Sequence, residues 1–484
     1  MDFSKKNIEI SILLAVIAIV AIWQFIFVIQ LPDGDTDAYA HFIIARDIAR
    51  NPYNLSLHWV WLPLFHYIGA FFVLAGSEMQ SVRVLNVIVW NSIPLLLYYN
   101  LKKKDENSLV PISAALITAL SPIGILMGTT AQPEPLFTFL VLLFIIKMEE
   151  GKYFYSAVVL SLACMLRYEA WAVLSGTGIY LFINIMKEKT FSLSVSGKSH
   201  KIYAVILLPA LVIFIWSFLR YLSDGQWFLF LHGTQKFASD ALAQDKSIEI
   251  GFLKFVKDLI LYPFWIPFLF TGIIVLLIPF GFIKFYSKNK FMFVAGISLL
   301  VFISISWVMK SNLGLKRHFT SIVPFYSVMI VYGLYSVNDY LKRFSLFRSG
   351  KLIPVIAAVL ILSYTGMWLF IWRSNNEFTF KDKKEALICL NKLYSSDTKR
   401  NIMFVNNDPV LEVLSKIDYK VFNHFWMREN QETKEYLLSL KKSNKSVYVI
   451  TNPKLLPYLI NFGDIIYESD QDINNPDRII VLKI

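Results

Sequence analysis

Eleven long apolar runs dominate this chain, at 8–29, 82–101, 108–127, 133–148, 154–167, 169–186, 201–222, 260–285, 290–309, 318–337 and 351–372. A helix rises 1.5 Å per residue, so about 20 apolar residues cross a hydrocarbon layer of about 30 Å. In lipid every backbone polar group must find its partner inside the protein, which leaves helices as the natural spanning element. The composition agrees: 56% of residues are hydrophobic and only 17% charged, against about 25% charged in soluble domains. A chain this apolar cannot cover itself with polar groups in water. The first run follows Lys5 and Lys6, is too long for a signal-peptide core and lacks a small-residue cleavage site. It reads as a retained helix.

The net charge of +12 is carried by lysines clustered between the apolar runs, the pattern of the positive-inside rule rather than of nucleic-acid binding. One further run, 59–76, decides the parity of the topology. If it does not span and the N-terminus is cytoplasmic, the cytoplasmic loops collect Lys102, Lys103 and Lys104; Lys147 and Lys152; Lys187, Lys189, Lys198 and Lys201; Lys284, Lys288 and Lys290; and Lys342, Arg343, Arg348 and Lys351. If it spans, all of these face outward. The first choice is therefore expected, with 59–76 a juxtamembrane or re-entrant segment whose Trp59, Trp61 and Tyr67 suit an interface. The segments 31–81, 128–133 and 223–258, the junction near Arg167, the turn 310–317 and the C-terminal region then face outward.

Two domains are expected. Residues 1–373 form the membrane domain, with an outer first loop at 31–81. Residues 374–484 alternate short β-rich runs (401–405, 446–451, 465–469 and 478–484) with helical patterns, including one near 409–416, as an extracytoplasmic α/β domain does. The only cysteines are Cys164 and Cys389, so neither a disulfide framework nor a thiolate metal site is available.

Four motifs carry candidate chemistry. In LPDGDTDAYAHF, Asp33, Asp35 and Asp37 directly follow the first helix. They either cap the next helix or form a functional acid cluster, and the amphipathic stretch from Tyr39 through His41 and Arg46 to Arg50 can lie at the interface and aim them at the membrane surface. Glu134 lies between two prolines at a helix start, where a carboxylate meets the positive end of the dipole. Arg167 and Glu169 interrupt an apolar stretch, either as a mutual ion pair or with Arg167 gripping phosphate oxygens. Lys316, Arg317 and His318 place positive charge on the side where it is discouraged, as headgroup contacts or as a functional set. Basic groups can stabilise charge on a departing phosphate, and an Asp can accept a proton from an attacking hydroxyl or amine. No Walker-type loop, HExxH or GxSxG occurs, which leaves a nucleotide-driven pump unsupported.

The order of these motifs over residues 1–372 resembles the GT-C superfamily of membrane glycosyltransferases, in the branch of the aminoarabinose transferases and protein O-mannosyltransferases. The matching residues are Asp35, Tyr39, Ala45 and Arg46; Trp61 to Leu64; Arg83 and Asn86; Glu134 to Leu136; Arg167 to Glu169; and Arg317 to Phe319 with Pro324. His318 departs from the commoner aromatic residue. With the eleven runs, the expected fold is a polytopic α-helical one of about 11 transmembrane helices in the cell membrane; the resemblance implies an outer-face first loop with juxtamembrane helices and an inverting transfer from a polyprenyl-phosphate sugar. The acceptor, whether lipid, protein or glycan, is left open. It implies Asp35 as general base, with Arg317 and Arg167 holding the donor phosphate and Lys316 beside them. Asp37 is the rival base, because the acidic stretch is also similar to the first-loop motif of oligosaccharyltransferases, where the Asp binds a divalent metal; Asp35 and Asp37 are the candidate ligands if a metal is used. Glu134, Glu169, His318, Tyr39 and His41 complete the expected substrate site. The 223–258 segment sits where the family often has a mobile substrate-covering loop, with Trp227, His232 and Gln235 as candidate contacts. A flippase or a non-catalytic binding subunit for lipid-linked glycans would use the same charges without bond cleavage. The chain shows no internal repeat of the transporter kind.

Overall fold

The computed structural model of the protein describes residues 3–104, 109–187, 199–243, 252–309, 311, 315–342, 352–396, 402–406, 408–415, 417–424, 431–443, 445–451, 455–469 and 479–484. Of the expected cytoplasmic set, Lys189, Lys198, Arg343, Arg348 and Lys351 lie outside these residues. Contacts divide the chain into two compact units, Met1–Ile29 with Ile44–Leu369, and Gln30–Ile43 with Phe370–Ile484.

The chain runs through α1 (Phe3–Gln30), α2 (Thr36–Arg50), α3 (Leu64–Leu74), α4 (Met79–Lys102), α5 (Val110–Ala119), α6 (Pro122–Met127), α7 (Glu134–Glu149) and α8 (Tyr153–Cys164). It continues through α9 (Glu169–Lys187), α10 (Ser199–Asp224), α11 (Leu229–Ala243), α12 (Phe252–Thr271), α13 (Ile278–Lys288), α14 (Lys290–Val308), α15 (Val323–Leu341) and α16 (Leu352–Ser396). Among the described residues eight helices are long and apolar enough to cross a membrane, and the protein is a multi-pass membrane protein. The expected runs at 133–148 and 154–167 appear as α7, of sixteen residues, and the shorter α8, of twelve. The run at 108–127 is broken into α5 and α6: Ser121 precedes Pro122 and is extended, with φ −64° and ψ 118°, because the proline ring disfavours a helical residue before it.

Two expected loops are mostly helical. Residues 31–81 fold as α2, a 3-10 turn at Leu55–His58 and α3. The eleven residues of α3 reach about 16 Å, too short to span. Residues 223–258 contain α11 and the start of α12, eight residues before the run at 260, because the pattern of Phe252, Val256 and Leu259 is helical before it is continuously apolar; residues 244–251 lie outside the description. The turn before α3 is held to α10: Ser56 donates to Asp224 at 2.7 Å, and Arg220 donates to the carbonyl of Trp59 at 3.1 Å. Trp59 there takes a positive φ of 50°. The buried His58 ring stacks on His66, and burial together with the Arg220 charge pulls His58 down to about 3.

Helix breaks in this unit are repaired by side chains. Pro267 has no N–H for the carbonyl of Pro263, and the hydroxyl of Tyr326 on α15 donates to that carbonyl at 2.7 Å. The carbonyl of Leu120, stranded by the α5–α6 break, accepts from Thr365 at 2.6 Å. Glycines let helices approach closely: a Cβ on Gly281 of α13 would lie 1.9 Å from the carbonyl oxygen of Met329 on α15.

Charge sorts to the two ends of α7. At its C-terminal end Lys103, Lys147 and Lys152 reach Glu150, and Lys104 pairs with Glu149 at 2.6 Å. Lys102 pairs with the buried Glu9 at 2.8 Å. Glu134 lies at the other end, about 24 Å along a sixteen-residue helix.

The second unit holds a five-stranded sheet of β1 (Ile402–Asn406), β2 (Phe422–His424), β3 (Ser446–Thr451), β4 (Asp464–Glu468) and β5 (Ile480–Lys483), in the order β2-β1-β3-β5-β4. The first three strands are parallel and β5 is antiparallel to both neighbours. Strand alternation makes two cores. Phe404, Tyr448 and Ile450 pack with Ala386 and Leu390 of α16 and Leu411 of α17 (Pro409–Ser415). Val405, Val447 and Val449 face Leu437 of α18 (Gln431–Lys441) and Leu459 of α19 (Leu456–Leu459). The expected last apolar run, 351–372, appears as part of α16, which continues to Ser396: no proline follows Pro354 within it, and Ala386 and Leu390 give its last turns an apolar face to bury.

Candidate active site

The first unit gathers five of the candidate residues. Pro133 precedes α7, so Glu134 opens that helix, and Glu169 opens α9. Each carboxylate therefore sits at the positive end of a helix dipole. The short turn between α8 and α9 brings Arg167 between them. Its Nη1 donates to Glu134 Oε1 at 2.5 Å, its Nη2 to Glu169 Oε1 at 2.6 Å, and its Nε to both Glu169 oxygens at 3.1 Å. The ion pair read as one option in the sequence thus exists and is joined by Glu134. The 3-10 turn Lys316–Ile322, which leads into α15, packs against α7. From it Arg317 Nε lies 3.5 Å from Glu134 Oε1, and His318 Nδ1 lies 4.0 Å from Glu169 Oε1.

Glu134 is 1% exposed and Glu169 is 4% exposed, so these charges are held by one another rather than by water. Two arginines and two glutamates leave the set formally neutral when His318 is uncharged. Oε2 of Glu134 is buried and has no hydrogen-bond partner among the described residues. Lys316 is directed elsewhere, with its ammonium 5.6 Å from the centre of the Trp368 ring.

The acidic first-loop stretch belongs to the second unit. Asp33 Oδ1 accepts from the backbone N–H of Asp35 at 3.1 Å, and Asp35 Oδ1 accepts from that of Asp37 at 3.0 Å. Asp35 is thus the N-cap of α2, and the capping role holds for one oxygen of its carboxylate. Asp33, Tyr39 and His41 are buried, Asp35 and Asp37 are half-buried, and Tyr39 donates its hydroxyl to the carbonyl of Asp33 at 3.2 Å. No group of three or more His, Cys, Asp or Glu side chains among the described residues is placed to share a metal ion. His232 and Gln235 are exposed on α11, and Trp227 stacks on Tyr221 with ring centres 4.7 Å apart.

Arg83 and Asn86, marked in the sequence only by the family pattern, hold backbone carbonyls beside Glu134 (Arg83 Nε to Thr129 and Asn86 Nδ2 to Gln132, each 2.7 Å). Gln24, which does the same a turn earlier at the carbonyl of Ile125, and Asn91, which donates to the Gln24 side chain, escape a reading based on charged motifs. A signal for them exists nonetheless: each is an uncharged polar residue inside an apolar run, and such residues in membrane helices usually bond across to a neighbour.

The fold and the charged site define a polytopic membrane protein with a separate small α/β unit. The solved structures it resembles include two crystal structures of ArnT from Cupriavidus metallidurans. The one bound to undecaprenyl phosphate gives a TM-score of 0.59 at 12% identity, covering 100% of this chain and 98% of that one. The apo form gives 0.60 at 11% identity, with 97% of each chain covered. No family model and no curated protein matches the chain.

Proposed function

We propose that this protein transfers a glycosyl group from a polyprenyl-phosphate donor to an acceptor at the outer face of the cell membrane. The observation that carries the reading is the buried Glu134–Arg167–Glu169–Arg317 set, on a fold shared with an ArnT that was crystallised with undecaprenyl phosphate. In this reading Arg317 and Arg167 bind the donor phosphate, Glu134 and Glu169 hold the guanidinium of Arg167 in one orientation, and His318 lies beside Glu169 as a neutral ring, while Lys316, turned toward Trp368, is left outside the phosphate contacts. The acceptor oxygen or nitrogen attacks the anomeric carbon from the face opposite the phosphate. The bond from that carbon to the phosphate oxygen breaks, its electron pair leaves with the phosphate, and the acceptor proton passes to Asp35, with inversion. Asp37 is the alternative base, and Tyr39 and His41 shape the first loop around the pair. The N-terminus is cytoplasmic and the sheet domain extracytoplasmic.

The test is a transfer assay in lipid nanodiscs with a panel of radiolabelled polyprenyl-phosphate sugars and candidate lipid, peptide and glycan acceptors. Wild-type protein consumes donor, Asp35→Asn loses at least about 100-fold in rate, as expected when a general base worth 10²–10⁴ is removed, and Asp37→Asn retains most of it. Donor binding without consumption by either protein would sink the transferase reading and favour a flippase or binding subunit.

A further inference from the structure

Every residue from 121 to 135 is buried, yet only six of them before Glu134 form a helix, α6. Carbonyls in its last turn and beyond it lack the partners a longer helix would supply, and in a membrane domain each unpaired one is costly. Side chains from α1 and α4 take them. Gln24 donates to the carbonyl of Ile125 at 2.8 Å and is itself held by Asn91 at 2.5 Å. Arg83 donates through Nε to Thr129 at 2.7 Å and through Nη1 to Val28 of α1 at 3.2 Å. Asn86 donates to both Thr130 and Gln132, each at 2.7 Å. Two glycines let the segment sit this close: a Cβ on Gly124 would fall 1.7 Å from the Trp90 ring, and one on Gly128 would fall 2.3 Å from Gln24.

The α5–α6 break and the Pro263 carbonyl are each served by one neutral hydroxyl. The 129–132 stretch instead takes a forked guanidinium and an amide that bridges two carbonyls. The sites also differ in what they adjoin along the chain: two residues after Gln132 comes Glu134, the carboxylate bound to Arg167.

We propose that Arg83 and Asn86 are positioning residues: by clamping the carbonyls of Thr129, Thr130 and Gln132 they fix where Glu134 meets Arg167. Neither touches substrate. The clamp acts on a pair whose part in donor binding rests on the proposed function, but its effect on the pair itself does not.

Three readouts in nanodiscs test this with Asn86→Leu, which keeps the volume and removes both donors, and with Arg83→Lys, which keeps the charge and loses the fork. Lys102→Met serves as the destabilised control, because it breaks the ion pair with Glu9 at the other end of α4. Asn86→Leu is expected to speed amide exchange about tenfold or more across 126–138 and not across 290–308. In the same background the coupling between Glu134→Gln and Arg167→Met falls to less than a third of its wild-type value. The donor KM rises about tenfold while kcat changes less, and Arg83→Lys falls between Asn86→Leu and wild type. Lys102→Met lowers stability and moves none of the three.

Unchanged exchange at 126–138, an undiminished coupling, or the same pattern in Lys102→Met would each overturn the proposal, as would an unchanged donor KM in an active enzyme. If wild type consumes no donor, the proposed function fails, and exchange and coupling alone decide the clamp.

Discussion

Replacing Arg167 by Met tests whether the buried charges hold one another. The change leaves Glu134 and Glu169, 1% and 4% exposed, sharing Arg317 at 3.5 Å from one and His318 at 4.0 Å from the other. Two unit charges 4 Å apart are worth about 4 kcal/mol at an effective dielectric of 20, and Arg167 makes two such contacts. Desolvation offsets much of that gain in the intact site, but it stays in full when one partner is removed, so the single variant is expected to lose about 3–5 kcal/mol. Glu134→Gln alone costs less, about 1–2 kcal/mol, because a Gln oxygen can still accept from Arg167 while its amide takes the place of the unpartnered Oε2. The decisive result is the double variant. With Arg167 gone, removing the charge on Glu134 relieves an uncompensated carboxylate, so Glu134→Gln should stabilise the Arg167→Met protein by at least about 1 kcal/mol while destabilising wild type. Reversible unfolding in mixed micelles of SDS and neutral detergent gives all four corners of the cycle. A double variant that is merely the sum of the two singles, or an Arg167→Met loss under about 1 kcal/mol, would refute the claim that these groups form one buried unit.

Two further outcomes rest on packing and charge elsewhere. Gly124→Ala drives a methyl into the six-membered ring of Trp90 and should cost about 1–3 kcal/mol or more by overpacking, and Trp90→Phe should recover part of that loss in the same unfolding assay; a neutral Gly124→Ala would show that α6 does not lie this close to α4. Glu150 is held down at about 2 by Lys103 and then Lys152, so its contribution is present above the ordinary carboxylate value of about 4.5 and is lost as pH falls from there toward 2. Wild type should exceed Glu150→Gln by no more than about 1 kcal/mol at pH 5–8 in low salt, with the gap closing below pH 4.5 and in high salt; a gap that widens in acid would contradict this.

The positions of Glu134, Arg167, Glu169 and Arg317 in the chain are conspicuous because charge in or beside an apolar run is expensive and needs a reason. What each one binds is not conspicuous, since Arg167 reads equally well as the partner of its neighbour Glu169 or of a ligand until Glu134, 33 residues earlier, is seen to share it. The acids of the first loop show the same ambiguity: Asp35 is a helix cap by its Oδ1 contact, and its spacing alone is compatible with that. In the second unit, β1, β3, β4 and β5 are legible as short β-rich runs, whereas β2 is not, because its three residues, Phe422 to His424, carry no period long enough to read.

The sequence by itself determined that the chain lives in a membrane, roughly where its helices lie, that an α/β domain comes after them, and which charges need explaining. Hydropathy, helical length and strand alternation are local properties, written in consecutive residues. Only the tertiary structure decided that 108–127 is broken at Ser121, that α16 continues past its apolar run to Ser396, and that carbonyls near Glu134 are held by Arg83 and Asn86, 44 to 46 residues away. Those outcomes depend on which distant donor reaches an unpaired carbonyl and on how closely a glycine lets two backbones approach, and neither is a property of the residues taken in order.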